Sequence, residues 1–363
     1  MKILVCFGTR PEAIKMAPIC KELQQRNIDF KVCVTGQHRE MLDQVLAFFE
    51  ITADIDLNLM EKNQSLNQLS SKILKDMDAI LEQENPDLVL VHGDTTTSSM
   101  CAIAAFHRNT KVAHIEAGLR THKKYSPFPE EVNRQLTSKL ADIHFAPTHA
   151  AKKNLINELI DEESIFITGN TVVDALLLAE RKLSTHEDYS AEISSKIDFS
   201  TKTILVTGHR RENFGKAFEE ICEALLDLAN LGFQIVFPVH LNPLVREVVY
   251  RKLNHNKIFL IDPVSYPVFI WLMKNCDLII SDSGGIQEEA PTFMKYVLVT
   301  REFSERLEGV AAGFSIVVGH NRQLIVEKAI EALNSKKLEQ KKMVNPYGEG
   351  NASKQIVDVI LAT

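Results

Sequence analysis

The chain has 363 residues and a formal net charge of −7, with 45% hydrophobic and 25% charged residues. These values are ordinary for a globular protein of two domains, and the negative balance excludes a broad nucleic-acid-binding surface. No apolar run approaches the roughly 18 residues of a membrane span, and the apolar start of the chain is too short for a signal peptide. We therefore expect a cytoplasmic protein without membrane contact.

Short runs rich in Val and Ile alternate with longer amphipathic segments along the whole chain. Strands are predicted at residues 2–7, 30–35, 87–92, 111–115, 143–146 and 164–168, and again at 203–207, 234–238, 258–261, 278–281, 296–300 and 315–318. Helices are predicted between them, among others at residues 16–25, 66–84, 171–181 and 218–230. Alternation of apolar strands with helices predicts an α/β protein with parallel sheets that helices cover on both faces.

Two segments resemble each other and indicate an internal repeat. Residues 3–12 read ILVCFGTRPE, and residues 204–212 read ILVTGHRRE. Each has an apolar strand, a glycine turn and a basic residue before a helix. We therefore predict two Rossmann-like domains that face each other across a cleft. The first is residues 1–168, on which a last helix at 352–363 packs back, and the second is residues 169–351.

The first candidate site segment is the turn at residues 8–15. Gly8 permits a tight turn between strand and helix, and Pro11 suits a first helical position. Arg10 and Lys15 place positive charge at the carboxyl end of a strand, where folds of this class bind ligands. An ordinary capped helix with solvated cations is the alternative. The segment is not a G-x-G-x-x-G fingerprint, so a dinucleotide is not supported.

Three carboxylates of the first half follow strand ends or turns. Asp94 and Glu116 come directly after predicted strands, and Glu130 follows a proline-rich turn. Because the carboxyl ends of parallel strands meet at one edge, we expect the three to converge, and crowded carboxylates are suited to proton transfer. For Asp94 the alternatives are a helix cap and a metal ligand, although no companion ligand has a characteristic metal-binding spacing. For the three carboxylates together, the alternative is surface salt bridges with Arg120 and Arg134.

The second half repeats the glycine turn and adds a Ser-Gly-Gly segment at residues 283–285. His209, at the tip of the repeated turn, suits phosphate binding or proton transfer, with helix capping as the alternative. The Ser-Gly-Gly segment joins an apolar strand to a helix, so its backbone N–H groups can approach a diphosphate. Glu289, one helical turn further on, can accept ribose hydroxyl groups, and Arg306 can supply a counter-charge.

Together and in this order, these motifs resemble those of the non-hydrolysing UDP-N-acetylglucosamine 2-epimerases. The resemblance runs nearly end to end, through residues 7–12, 114–120, 126–134, 208–213, 281–291 and 345–348. It implies the two-domain GT-B architecture with an active site in the cleft, a homodimer, and no metal or nicotinamide cofactor.

The resemblance also implies a role for each candidate residue. The catalytic residues would be Asp94, Glu116, Glu130, Lys15 and His209. The substrate would be bound by Arg10, Arg134, Phe269, Ser283, Gly284, Gly285, Glu289 and Arg306, with Phe269 near the uracil. An activating second substrate site, found in some members, would use Gln37, His38, Gln64, Arg210 and His240. Glu40 and Asn63 stand where some members carry Gln and Arg.

The implied reaction interconverts UDP-N-acetylglucosamine and UDP-N-acetylmannosamine. Carbon 2 has no adjacent carbonyl group, so its proton is not acidic. The implied route is anti elimination of UDP to 2-acetamidoglucal, followed by re-addition with protonation on the other face. A hydrolysing relative and a GT-B glycosyltransferase would keep the same nucleotide-binding half and remain alternatives. A non-enzymatic sugar-nucleotide sensor would not need the three carboxylates.

Overall fold

The computed structural model describes residues 1–36, 39–61, 64–184, 193, 195, 197–208, 215–302, 306–334 and 343–363. The chain divides into two compact units. Unit 1 is Met1–Ala175 together with Tyr347–Thr363, and unit 2 is Leu176–Pro346. The crossings between the units thus fall at residues 175 and 346, where the sequence placed them at 168 and 351.

Unit 1 is built on a parallel sheet of seven strands among its described residues, in the order β3-β2-β1-β4-β5-β6-β7. The strands are β1 (Lys2–Phe7), β2 (Asp29–Val34), β3 (Ile55–Asp56), β4 (Leu88–His92), β5 (Lys111–Ile115), β6 (Ile143–Ala146) and β7 (Ile165–Ile167). The helices between and after them are α1 (Arg10–Gln25), α2 (Arg39–Phe49), α3 (Leu66–Glu84), α4 (Thr96–His107), α5 (Glu130–Leu140) and α6 (His149–Asn157). Helix α7 (Thr171–Ser184) begins in unit 1 and continues into unit 2 after Ala175.

Unit 2 repeats this arrangement with six strands in its described part, in the order β10-β9-β8-β11-β12-β13. The strands are β8 (Thr203–Thr207), β9 (Gln234–Pro238), β10 (Ile258–Ile261), β11 (Leu278–Ser281), β12 (Tyr296–Val299) and β13 (Ser315–Val317). The helices are α8 (Lys216–Asn230), α9 (Pro243–Lys252), α10 (Tyr266–Asn275), α11 (Gly284–Glu289), α12 (Leu307–Ala311) and α13 (Arg322–Asn334).

The central strands of both sheets are buried on both faces, which explains their continuous apolar sequences. In each unit the first strand lies in the middle of the sheet. The next two strands are added on one side of it and the fourth strand on the other side, so the strand order reverses between β1 and β4 in unit 1 and between β8 and β11 in unit 2. The prediction of two parallel α/β sheets is confirmed. Strand β3 was not predicted, because two residues carry no periodic signal.

Helix α1 begins at Arg10, so Pro11 stands in its first turn as the sequence indicated, whereas the amphipathic pattern alone begins at residue 16. Thr9 caps it, accepting a hydrogen bond from the N–H of Glu12, and the Glu12 side chain accepts one from the N–H of Thr9. This reciprocal capping box stabilises the first turn of the helix. The sequence of that turn is too polar for the periodic spacing of hydrophobic residues to indicate a helix there.

The chain ends in helix α14 (Ala352–Ala362), which packs on α1 in unit 1. Buried Asp174 of α7 accepts hydrogen bonds from the N–H of Ala352 at 3.2 Å and of Ser353 at 2.9 Å. The carboxylate therefore compensates the positive end of the α14 dipole. In the described part of the chain, none of the helices combines the length and apolar character needed to span a membrane.

Candidate active site

The turn after β1 lies at the point where the strand order of unit 1 reverses. A Cβ added to Gly8 would come within 2.1 Å of Thr35 Oγ1 and 2.6 Å of Thr97 Oγ1. The two threonine hydroxyls lie 2.8 Å apart and occupy the space beside the glycine. Gly8 is therefore required for close packing of β1 against β2 and α4.

Glu12 ties the two sides of this reversal together. Its Oε2 accepts hydrogen bonds from the N–H groups of Gly8 at 3.1 Å and Thr9 at 2.8 Å. Its Oε1 accepts from the hydroxyls of Thr95 at 2.7 Å and Ser98 at 3.1 Å. Burial raises the pKa of the Glu12 carboxyl, and these donors act in the opposite direction. The loops after β1 and β4 are thus joined through one side chain.

Glu116 and Lys15 form a buried ion pair at the same edge. Lys15, on α1, donates to Glu116 Oε2, and both side chains are about nine-tenths buried, with 10% and 9% exposed. Asn170 Nδ2 donates to the same oxygen at 2.9 Å, and His92 Nε2 lies 3.9 Å from it. Residues from α1, β4 and the segment before α7 therefore converge on the carboxylate that follows β5.

The backbone around Glu116 is unusual. Glu116 has a φ of +60°, in the left-handed region that non-glycine residues rarely adopt. Next to it, the His114 ring lies 2.7 Å from the carbonyl oxygen of Gly93 through Nε2, which must carry the proton because a carbonyl only accepts. Burial lowers the pKa of His114 to about 3, so the ring is neutral. His114 thus holds the β4 turn against β5.

Asp94 pairs with Arg134 of α5. Arg134 Nη2 lies 2.5 Å from Asp94 Oδ2, and its Nη1 lies 3.6 Å from the buried carboxylate of Glu131. Asn133 Nδ2 donates to the Asp94 carbonyl oxygen at 3.0 Å. The capping alternative for Asp94 is wrong, because Thr95 is the N-cap of α4. Asp94 is instead half-buried and is held by two neighbouring residues of α5, Asn133 at its backbone and Arg134 at its side chain.

Glu130 is the first residue of α5, and its side chain is half-buried. The loop that leads to it is held by Glu131, which accepts from the N–H groups of Thr121 and His122, both at 3.0 Å. Of the two arginines that the salt-bridge alternative named, Arg134 does pair with Asp94, whereas Arg120 pairs with none of these three carboxylates in the described contacts. Arg120 is buried and binds Glu158 through Nε at 2.7 Å and Nη2 at 2.8 Å.

The corresponding edge of unit 2 carries small and hydroxyl-bearing residues. The hydroxyls of Thr207 and Ser281 lie 2.7 Å apart, and Ser281 Oγ accepts from the N–H of Ser283 at 3.0 Å. Gly284 starts α11 and is buried, whereas Gly285 is exposed, and a Cβ on Gly285 would lie 3.8 Å from Ser283 Oγ. The backbone at Gly285 is therefore exposed at this turn, and only Ser283 Oγ of the described atoms lies within 4 Å of its added Cβ.

The remaining predicted residues of unit 2 lie near this edge or beyond it. Arg306 forms an ion pair with Glu288, whose carboxylate is buried, and Glu289 is the half-buried last residue of α11. Phe269 is half-buried against the apolar core of unit 2. A cavity of about 640 Å³ lies beside the end of β10, lined in part by the residues at 259–265 and by Val268.

Several predicted residues cannot be placed. His209, Gln37, His38 and Arg210 lie outside the described residues, as does Asn63, and the side chain of Glu40 is not described. Gln64 is half-buried in unit 1, and His240 is exposed in unit 2, where its Nδ1 accepts from the N–H of Asn242 at 3.1 Å. Arg10 is half-buried at the start of α1. Their roles stay predictions.

Three residues of the unit 1 edge were not singled out from the sequence: Glu12, Asn170 and Glu131. The Thr9-x-x-Glu12 spacing is a capping signal that could have indicated Glu12. Glu131 and Asn170 carry no such signal, because their partners are 10 and 54 residues away along the chain. Among the residues that the structure describes, no group of three or more His, Cys, Asp or Glu side chains is arranged to hold a metal ion.

The chain has two units of Rossmann topology, and in one of them two carboxylates, each paired with a cation, lie at the carboxyl ends of the strands. These features define an α/β enzyme of the GT-B-like class. The family model of UDP-N-acetylglucosamine 2-epimerase matches residues 21–361 of the chain. The UDP-N-acetylglucosamine 2-epimerase of Escherichia coli K12 is 50% identical over 99% of this chain and 98% of its own length. The corresponding protein of Campylobacter jejuni is 49% identical over 99% and 97%.

Solved structures give the same result. The UDP-GlcNAc 2-epimerase of Neisseria meningitidis, bound to UDP-GlcNAc, is 48% identical and matches with a TM-score of 0.93 over 100% of both chains. The enzyme of Methanocaldococcus jannaschii, in complex with UDP-GlcNAc and UDP, is 34% identical with a TM-score of 0.87, again over 100% of both chains. The chain belongs to the UDP-N-acetylglucosamine 2-epimerase family, as its motifs predicted.

Proposed function

We propose that the protein interconverts UDP-N-acetylglucosamine and UDP-N-acetylmannosamine by inverting carbon 2 of the sugar. The observation that carries the proposal is the pair of cation-bound carboxylates, Glu116 with Lys15 and Asp94 with Arg134, on one sheet edge. Identity of 50% with an epimerase over nearly the whole chain supports it.

The proposed route is anti elimination of UDP followed by re-addition. Direct deprotonation at carbon 2 is unfavourable, because no carbonyl group stabilises the carbanion. Departure of UDP from carbon 1 as carbon 2 loses its proton gives 2-acetamidoglucal. Re-addition of UDP with protonation of carbon 2 on the opposite face gives the epimer, so that atoms and charges balance over the cycle.

Unit 1 would handle the protons. Asp94, Glu116 and Glu130 are the proposed acid–base groups. Their charges are tolerable at one edge because Arg134 and Lys15 compensate two of them. Lys15 and Arg10 would also stabilise the negative charge that develops on departing UDP, with His209 as a further group.

Unit 2 would bind UDP. The backbone at Ser283, Gly284 and Gly285 would hold the phosphates, since in the described part of the chain no bulky side chain lies within 4 Å of a Cβ added at Gly285. Glu289 would bind the ribose and Arg306 a phosphate oxygen. The uracil would lie beside Phe269, and the neighbouring cavity of about 640 Å³ is large enough for a base and a ribose.

Assembly, activation and location complete the proposal. We expect a homodimer, a cytoplasmic location, and activation by a second substrate molecule. The expected partners are the two UDP-sugars, with no nucleic acid, no membrane and no cofactor. Light scattering of the purified protein, and a plot of rate against substrate concentration, measure the first and third of these.

The test is incubation with UDP-N-acetylglucosamine alone, followed by ¹H NMR of the products. We expect UDP-N-acetylmannosamine to accumulate until a constant ratio of the two UDP-sugars is reached from either side. Accumulation of free N-acetylmannosamine with UDP would show a hydrolysing enzyme. Turnover only after an acceptor is added would show a glycosyltransferase, and either result would overturn the proposal.

A further inference from the structure

Two donors converge on one oxygen of Glu116. Lys15 Nζ and Asn170 Nδ2 both donate to Oε2, the latter at 2.9 Å. The other oxygen, Oε1, lies on the side of Gly93, 3.7 Å from where a Cβ on that glycine would stand. Two donors from different directions fix the plane of the carboxyl group, so they also fix where Oε1 points.

The Asn170 side chain is itself held in one orientation. Its Oδ1 accepts from the N–H of Val172 at 3.0 Å, and its own N–H donates to the carbonyl oxygen of Tyr347 at 2.8 Å. Because Oδ1 is the acceptor for an N–H group, Nδ2 must be the atom that faces Glu116. Asn170 is buried, with 3% of its surface exposed.

We propose that Asn170 is a positioning residue, which holds Glu116 in the orientation that proton transfer at carbon 2 requires. This inference rests on the proposed function. Lys15 supplies the compensating charge, whereas the neutral amide sets direction, because its two ends are bound to different partners. A misplacement of about 1 Å at a reacting group costs on the order of 100-fold in rate, so loss of the amide is expected to be visible in kcat.

Asn170 also has a second task, and substitution can separate the two. Its Oδ1 caps the first turn of α7, and both Asp and Ser keep an oxygen suited to that cap. Neither keeps the amide donor, and at neutral pH Asp adds a charge of the same sign as Glu116. We expect kcat to fall about tenfold in Asn170→Ser and about 100-fold in Asn170→Asp, with KM and the Kd of UDP within about threefold of wild type.

Asn154→Ala is the matched control. Asn154 lies in unit 1 and donates from Nδ2 to the Gly118 carbonyl oxygen at 2.9 Å, so the control removes an amide donor that no carboxylate receives. We expect its kcat to remain near that of wild type. Thermal unfolding of all three variants is followed in parallel.

The outcomes separate the inference from the proposed function. Wild-type kcat in both Asn170→Ser and Asn170→Asp would overturn the inference and leave the proposed function standing. Loss of UDP binding or early unfolding in both would also overturn it, since Asn170 would then maintain the fold rather than orient Glu116. A wild-type protein that does not epimerise would overturn the proposed function, and the inference with it.

Discussion

The carboxyl edges of the two sheets are built on the same strand order but carry different chemistry. In unit 1 the edge holds charged groups in pairs, Lys15 with Glu116 and Arg134 with Asp94, and all four are at least half-buried. In unit 2 the corresponding turn has Ser281, Ser283 and two glycines.

Under the proposed function, this difference lets one topology serve two tasks. Paired charges cost desolvation free energy and need fixed partners, which unit 1 supplies from α1, α5 and the segment before α7. Backbone N–H groups need only small side chains around them, which unit 2 supplies. In this proposal, function depends on the loops at the edge, while the strand order places the two sets of loops at equivalent positions.

The largest expected effect comes from removing a charge from the unit 1 edge. In Asp94→Asn and Glu116→Gln we expect epimerisation to fall about 1,000-fold or more, because the proton-transferring group is lost. UDP affinity, measured by calorimetry, is expected to stay within about threefold of wild type, since unit 2 is unchanged.

Glu82→Gln is the control for these variants. Glu82 is 72% exposed and lies 3.4 Å from Arg108 on the surface of unit 1, so its loss should leave turnover unchanged. Simultaneous loss of UDP binding in Asp94→Asn and Glu116→Gln would contradict the separation of tasks between the units.

The repeated glycine turns give the next largest effect. A Cβ at Gly8 would stand 2.1 Å from Thr35 Oγ1, whereas at Gly208 the nearest described atom, Phe218 Cε2, is 3.2 Å away. We expect Gly8→Ala to destabilise unit 1 by about 3 kcal/mol and Gly208→Ala to destabilise unit 2 by about 1 kcal/mol.

Urea denaturation can follow the units separately, because the single tryptophan, Trp271, lies in unit 2. Gly208→Ala should shift the fluorescence transition of Trp271, and Gly8→Ala should shift mainly the far-UV circular dichroism. Equal destabilisation by the two substitutions would show that the threonine hydroxyls move aside at little cost.

The last expected effect concerns pH. His92, His114 and His144 are buried on neighbouring strands of unit 1, whereas the described histidines of unit 2 are not buried. Burial lowers the pKa of His114 to about 3 from 6.5. Between these pH values the unfolded chain binds a proton that the folded chain does not, so the contribution of His114 is fully present above pH 6.5 and decreases as the pH falls.

Between pH 7 and pH 5, His114 alone should therefore cost about 2 kcal/mol of stability. Gln at this position can still donate to the Gly93 carbonyl oxygen but does not titrate. We expect the stability of His114→Gln, from urea midpoints by circular dichroism, to depend on pH less steeply than that of wild type by this amount. Burial also lowers the pKa of His144, so some dependence of the same sign should remain. An unchanged slope would refute the assignment.

Local signals in the sequence predicted the elements better than they predicted the contacts. The apolar runs of β1, β5 and β8 give their observed bounds, because strands buried on both faces have mostly apolar interiors. The same signals placed Asp94 and Glu116 after strand ends, where the structure has them.

Contacts between residues that are distant along the chain could not be predicted from such local signals. Asn170 reaches Glu116 across 54 residues, and Arg120 reaches Glu158 across 38, and only the folded sheet brings these pairs together. The helix cap before α4 was equally ambiguous, since Asp94 and Thr95 are both good caps and the backbone conformation selects Thr95.

Isotope incorporation tests the central claim most directly. The wild-type protein is incubated with UDP-N-acetylglucosamine in D₂O, and both UDP-sugars are examined by NMR and mass spectrometry. Proton transfer by carboxylates at carbon 2 predicts one deuterium at that carbon in UDP-N-acetylmannosamine, and in UDP-N-acetylglucosamine as reversal proceeds. Epimerised product that keeps its original hydrogen at carbon 2, or no reaction at all, would contradict the account.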